Sequence, residues 1–126
     1  MKALNILSNG YRATIEEQDD TIVWLTLMIR NAGADADILL RGAAANYVVK
    51  GHKVDPLRIG GREQMHAPDV LGQIEALVAD GSKVFVLAED LKQRGIKRNT
   101  CIDAARIVSK KEIARCMDDY DRVWHW

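Results

Sequence analysis

Short unbroken apolar runs alternate along the chain with longer stretches in which apolar residues recur every three or four positions. That rhythm predicts buried strands joined by helices. Ala3-Leu-Asn-Ile-Leu7 is the first run, and Ser8-Asn9-Gly10 closes it as a turn. A helix is predicted next, opened by a capping box at Thr14-Ile-Glu-Glu17. Ile22, Leu25, Ile29 and Ala32 carry its apolar stripe, Val23 and Leu27 widen it, and Gly33 supplies the stop.

The rhythm then repeats. Asp37-Ile-Leu-Leu40 reads as a strand, and Ala43 to Lys50, ending at Gly51, as a short helix. Residues 52–67 hold His52, Pro56, Gly60, Gly61 and His66 without periodicity, the longest irregular stretch, and function often sits on such loops. Pro68-Asp69 opens a helix with Val70, Ile74, Leu77 and Val78 on one face, closed by Gly81. Val84-Phe-Val-Leu87 is a third apolar strand, Glu89 to Arg94 a short helix ending at Gly95, and Ile96 to Asp103 a polar loop. Arg106-Ile-Val108 predicts a brief strand and Ser109-Lys-Lys-Glu112 a second capping box. The helix it opens sets Ile113, Cys116, Met117 and Tyr120 on one side, and Asp121 to Trp126 is the last strand. Connections this long exclude hairpins and imply a mainly parallel sheet of about five strands covered on both faces. The expected fold class is therefore α/β, a three-layer α/β/α arrangement forming one domain over residues 1–126.

Composition narrows the function. The chain has 126 residues, with 18 Lys and Arg balancing 18 Asp and Glu, so no long-range field attracts nucleic acid or anionic lipid. The longest apolar stretch, Ile22 to Ile29, is far below the roughly 20 residues that span a bilayer, and the N-terminus lacks the order of a signal peptide. The expectation is a cytoplasmic protein that binds neither nucleic acid nor membrane. Two cysteines without a CxxC or a zinc spacing point away from a disulfide scaffold and a metal knuckle, and no metal or cofactor is expected.

In open parallel sheets ligands gather beyond the carboxyl ends of the strands. That directs attention to Ser8 to Thr14, Arg41 to Ala44, Ala88 to Arg94, and 52–67 if it folds over that edge. No loop carries GxGxxG or GxxxxGK[ST], and no GxSxG elbow is present. Asn9, Arg41, Arg62, Asp90 and Arg94 remain as ligand candidates, the arginines for a small anion. Gly60-Gly61-Arg62 can also form an anion nest or an ordinary turn. Asp90 suits a helix cap and Arg94 a cation at a helix end. His52 and His66 read as solvated loop residues, and His125 alternates with Trp124 and Trp126 on the last strand. Trp24, Trp124 and Trp126 suit either the core or subunit contacts. Cys116 falls on an apolar stripe. Cys101, in Lys97-Arg-Asn-Thr-Cys101, has cations that lower a thiol pKa and a polar loop that leaves it reachable, and so is the candidate nucleophile.

Val84-Phe-Val-Leu-Ala-Glu-Asp-Leu-Lys-Gln-Arg-Gly-Ile96 resembles the DsrE/DsrF/DsrH superfamily of small sulfur-relay proteins, which includes TusB, TusC and TusD. Leu39-Leu-Arg-Gly-Ala-Ala44, Lys50-Gly51, Ile107-Val-Ser109 and Asp121-Arg-Val123 continue the likeness over most of the chain. Sulfur-carrying members look like Val-x-Ile-Cys after the third strand. Counting back from Arg94-Gly95 puts Leu87 at that cysteine, which makes Leu87 a marker of the ligand crevice and removes the family's persulfide site. The Leu87-x-x-Asp90-Leu-x-x-Arg94-Gly95 pattern is similar to the DsrH/TusB branch, while the first half is more DsrE-like. The resemblance implies an accessory, non-catalytic subunit in sulfur trafficking, assembled as a homo-oligomer or with homologous DsrE-like subunits and meeting a sulfur-carrier protein. The alternatives are a small sulfurtransferase with a persulfide on Cys101, and a small-anion or small-ligand binding domain.

Overall fold

A computed structural model describes residues 1–11 and 20–126, so the capping box expected at Thr14-Ile-Glu-Glu17 lies outside the described residues. In chain order the elements are β1 (Lys2–Leu7), α1 (Thr21–Asn31), β2 (Asp35–Leu40), a 3-10 segment (Gly42–Val48) and the small strands β3 (Arg58–Ile59) and β4 (Arg62–Glu63). They continue with α2 (Val70–Ala79), β5 (Val84–Leu87), α3 (Ala88–Gln93), a 3-10 turn (Arg98–Thr100), β6 (Arg106–Val108), α4 (Lys110–Cys116), a last 3-10 turn (Met117–Asp119) and β7 (Arg122–His125). The main sheet has five strands in the order β6-β5-β2-β1-β7, every neighbouring pair parallel.

The apolar runs explain the layers. Alternate side chains of a strand face opposite sides, and here both sides are hydrocarbon. Leu7, Ile38, Leu40, Val84 and Val86 share one cluster with Val23 of α1, Ile74 and Leu77 of α2 and Leu91 of α3. Leu4, Ile6, Leu39, Phe85 and Leu87 share the other with Ile113 of α4. The α/β/α class expected from the sequence is the fold observed. The second capping box is present too: Ser109 Oγ accepts from the Glu112 N–H, and the Glu112 carboxylate accepts from the Ser109 N–H.

Helix α1 departs from its expected stripe. Its buried residues are Val23 and Thr26, while Ile22 and Leu27 pack from the margin and Leu25 and Ile29 are only partly covered. A buried polar contact sets this rotation: Asn5, at the centre of β1, donates to Thr26 Oγ1 at 2.9 Å and accepts from Trp126 Nε1 at 3.0 Å. A buried amide left unpaired would cost about 1–3 kcal/mol, so the helix turns a threonine inward. The stretch expected to be irregular contains the β3–β4 hairpin, whose register pairs Ile59 with Arg62 across Gly60 and Gly61. Both glycines have positive φ, 55° and 76°, which two-residue hairpin turns require.

Three crossovers, β1 to β2 to β5 to β6, step one way across the sheet, and the last returns from β6 past β1 to β7. The chain therefore leaves β5 toward the first face, through α3, and leaves β6 toward the second, through α4. The carboxyl ends of β5 and β6 form the topological switch where ligands of such sheets bind.

Candidate functional site

The carboxyl edge is built on glycine contacts. After β1 the chain runs beside the 3-10 segment that follows β2. A Cβ on Gly42 would lie 2.6 Å from the Ser8 carbonyl oxygen, and one on Gly10 would lie 3.1 Å from the Ala43 carbonyl. Arg41 donates its backbone N–H to Leu7 O at 3.0 Å. Asp90 Oδ2 accepts the Gly42 N–H at 2.7 Å, which ties α3 to this corner. The edge thus gathers Asn9, Arg41, Leu87 and Asp90. Arg94 caps the far end of α3, and Arg62 belongs to the separate hairpin, where the Gly60-Gly61 turn leaves the residue exposed.

Asp90 was expected to cap its own helix. Residue Leu87 occupies that N-cap without a side-chain bond, and the aspartate serves the 3-10 segment instead, because its carboxylate reaches an N–H that the tight Gly42 approach would otherwise leave unpaired. At the switch itself Leu87 is 3 % exposed, its side chain closed into the α4-side cluster. Glu89, two residues on, accepts the Lys110 N–H with both carboxylate oxygens, at 3.0 and 3.2 Å. One carboxylate so links the first turns of two helices on opposite faces.

A second polar group stands where the β1–α1 connection leaves and returns. Tyr47 is fully buried, and its Oη accepts the Tyr11 N–H while donating to Asp20 Oδ2 at 2.7 Å. Asp20 in turn caps α1 by accepting from the Ile22 and Val23 N–H groups at 3.0 and 3.3 Å. Tyr11 has φ +64°, the one positive value among the described non-glycine residues. Such a backbone persists only where its surroundings hold it. Here its ring meets Tyr47 edge-on at 5.2 Å and stacks on His52 at 5.6 Å, and its Oη hydrogen-bonds His52 Nε2 at 2.6 Å. His52 is thus half-buried against aromatic rings, not a freely solvated loop residue as expected. Nearby in the sheet, at the ends of β1 and β7, Ser8 Oγ and His125 Nε2 are 2.7 Å apart.

Burial holds the Tyr11 and Tyr47 phenols protonated, with pKa values above the ordinary tyrosine range. It lowers the His52 pKa below its usual 6.5, favouring the neutral imidazole. A depressed folded-state pKa contributes stability that is present above pH 6.5 and lost as pH falls through the folded value. Wild-type protein is expected to lose thermal stability between pH 7 and pH 5 more steeply than His52→Gln; equal slopes in a scanning-calorimetry series would remove His52 from this network. Chemically the cluster offers a neutral phenol–imidazole pair able to donate to, or accept from, a small polar ligand. Sequence reasoning missed Tyr11, Tyr47 and Asp20. Only Asp20, directly ahead of the apolar helix face, carried a legible capping signal.

The thiols correct an expectation. Cys101 is 2 % exposed, in the first-face cluster, and its strand-like backbone bridges to Val49. Desolvation raises its pKa, outweighing Lys50 and Arg98, which lower it. The polar letters around it point outward while the sulfur faces the core. Leu87 faces the opposite side of the sheet, so the two do not share a crevice. Cys116 packs from the margin against the α4-side cluster, as its stripe predicted. Among the described residues no group of three His, Cys, Asp or Glu side chains is placed to hold a metal ion.

A five-stranded parallel sheet in this order, with β5 running into a short helix at the switch, is the three-layer α/β fold that the DsrE resemblance implies. Over 100% of both chains it is similar to the crystal structure of the ychN protein from E. coli, with a TM-score of 0.75 at 20% identity. It is also similar, at a TM-score of 0.65 and 9% identity, to MTH1491 from Methanobacterium thermoautotrophicum, a protein of unknown function, over 98% of this chain and 97% of that one. No family model and no curated protein matches the sequence. Among the described residues no helix is long and apolar enough to cross a membrane.

Proposed function

We propose that this chain is a non-catalytic DsrE-like protein of intracellular sulfur trafficking, working as an accessory subunit with copies of itself or with homologous subunits. The observation that carries the reading is the state of the strand end: where the resembled carriers hold a cysteine, this chain closes Leu87 into hydrocarbon. The remaining thiols favour the same view, since Cys101 is buried with a raised pKa on the other face and thiolate is the form that accepts sulfur. Incubation of the folded protein with a persulfide donor is expected to leave its intact mass unchanged, whereas a carrier gains about 32 Da per sulfur. An adduct that disappears in Cys101→Ala but survives in Cys116→Ala would replace this reading with a sulfurtransferase. The assembly part is checked by size at micromolar concentration, where a monomer alone would contradict it.

A second reading is favoured by the Tyr11–His52 pair, which with Asn9 and Arg41 belongs to the connections that follow β1 and β2: a binding site for a small polar ligand at the carboxyl edge. A thermal shift with inorganic phosphate or thiosulfate that is lost in Arg41→Ala supports it, and no shift across millimolar anion rejects it for these ligands.

A further inference from the structure

The chain is neutral as a whole, but its charge is not evenly spread. Eight of the eighteen Lys and Arg fall between positions 92 and 115, against two carboxylates, Asp103 and Glu112. Asp103 pairs with Lys50 at 3.2 Å, and Glu112 is held in the Ser109 capping box. This stretch runs from the end of α3 through the connection to β6, β6 itself and nearly all of α4. With Glu89 and Asp90 of α3 counted as well, the elements that lead into and out of β6, the edge strand of the sheet, carry an excess of four positive charges.

The same region has a cavity of about 310 Å³, lined by Ala88, Leu91, Lys92, Ile96, Arg98 and Ile107. Its floor is apolar. At its rim Lys92 and Arg98 are exposed, and neither lies in an ion pair among the described residues. Beside the cavity β6 is paired, among the described residues, on one side only, by β5, so its other side presents a row of backbone N–H and C=O groups to an incoming strand.

We propose that the β6 edge docks an acidic, extended segment of a partner protein, which lays its backbone along β6, places one apolar side chain in the cavity and sets flanking carboxylates against Lys92 and Arg98. Strand addition supplies the affinity of main-chain hydrogen bonds, and the cavity and its cations supply the selection. A nucleic acid fits less well. No residue between 92 and 115 is aromatic, so the patch has no stacking platform for bases, and an apolar floor does nothing for a phosphate backbone.

The test pans the full-length protein against a randomised linear peptide library, then measures the enriched peptides by fluorescence anisotropy. Enrichment of Leu, Ile or Phe flanked by Asp or Glu is expected. Those peptides should bind Lys92→Glu/Arg98→Glu at least about tenfold more weakly, while Lys53→Glu/Arg58→Glu, an equal change of charge away from β6, should bind as wild type. Ala88→Met, which fills the cavity without altering charge, should also weaken binding, and added salt should reduce it. No enrichment, enrichment of another composition, or equal losses in both double variants would overturn the proposal. So would a single-stranded RNA oligonucleotide that binds this edge more tightly than the peptides and is lost in the same variant.

Discussion

Gly42→Ala is expected to destabilise the protein by about 3–5 kcal/mol, read as a lower urea midpoint with an unchanged slope. Two separate effects add at this position. Its φ of +55° lies in the left-handed region, which costs a residue with a side chain of the order of 1 kcal/mol. The added Cβ would also sit 2.6 Å from the Ser8 carbonyl oxygen. That neighbour is backbone at the end of a central strand and cannot swing away, so relief requires pulling β1 from the 3-10 segment and loosening the Asp90 bond to the Gly42 N–H. Gly33→Ala is the natural control, because its φ is +92° but its Cβ would meet nothing within 4 Å. It isolates the conformational effect at about 1 kcal/mol. If both substitutions cost the same, the close approach of Ser8 to Gly42 is absent in solution.

The second large effect is expected at Tyr47. Tyr47→Phe keeps the ring and its contacts but removes the hydroxyl that holds the Tyr11 N–H on one side and the Asp20 carboxylate on the other. Asp20 is 3 % exposed and would keep its two backbone donors at the head of α1 while losing its side-chain donor. A hydrogen bond to a buried charged group contributes more than a neutral one, and the bond from the Tyr11 N–H is lost with it, so about 2–4 kcal/mol is expected. The diagnostic measurement is a double-mutant cycle with Asp20→Asn. The two losses should be strongly non-additive, because each substitution breaks the same bond. Additive losses would mean that Tyr47 and Asp20 act separately.

Much of the architecture was legible because burial on both faces leaves a blunt signature: Val84-Phe-Val-Leu87 and Asp37-Ile-Leu-Leu40 admit few readings besides buried parallel strands. The capping box at Ser109 was equally plain, since both of its bonds are local in sequence. What escaped was set by contacts between distant residues. The rotation of α1 depends on Asn5 finding Thr26, twenty-one positions away, and an apolar periodicity cannot anticipate a threonine turned inward to satisfy a strand amide. Cys101 misled for a related reason. Its cationic neighbours describe the solvent side of that loop, while the pairing of its backbone with Val49 turns the sulfur inward. Of the candidate site, Asn9, Arg41 and Asp90 could be found by asking which loops follow strands. Tyr11, Tyr47 and His52 could not, because two separate connections, one after β1 and one after β2, bring them together and no spacing encodes it.

The bridge from Glu89 to the Lys110 N–H bears on which substitutions this strand end can use. A cysteine placed at Leu87 would enter a hydrocarbon pocket, two residues from a fixed carboxylate that already satisfies the neighbouring helix start. Both surroundings oppose a thiolate, one by desolvation and the other by repulsion. Residues 87 and 89 therefore form an epistatic pair. Leu87→Cys alone would thin the core without making a reactive sulfur, so a reactive thiol at this strand end requires residue 89 to change as well.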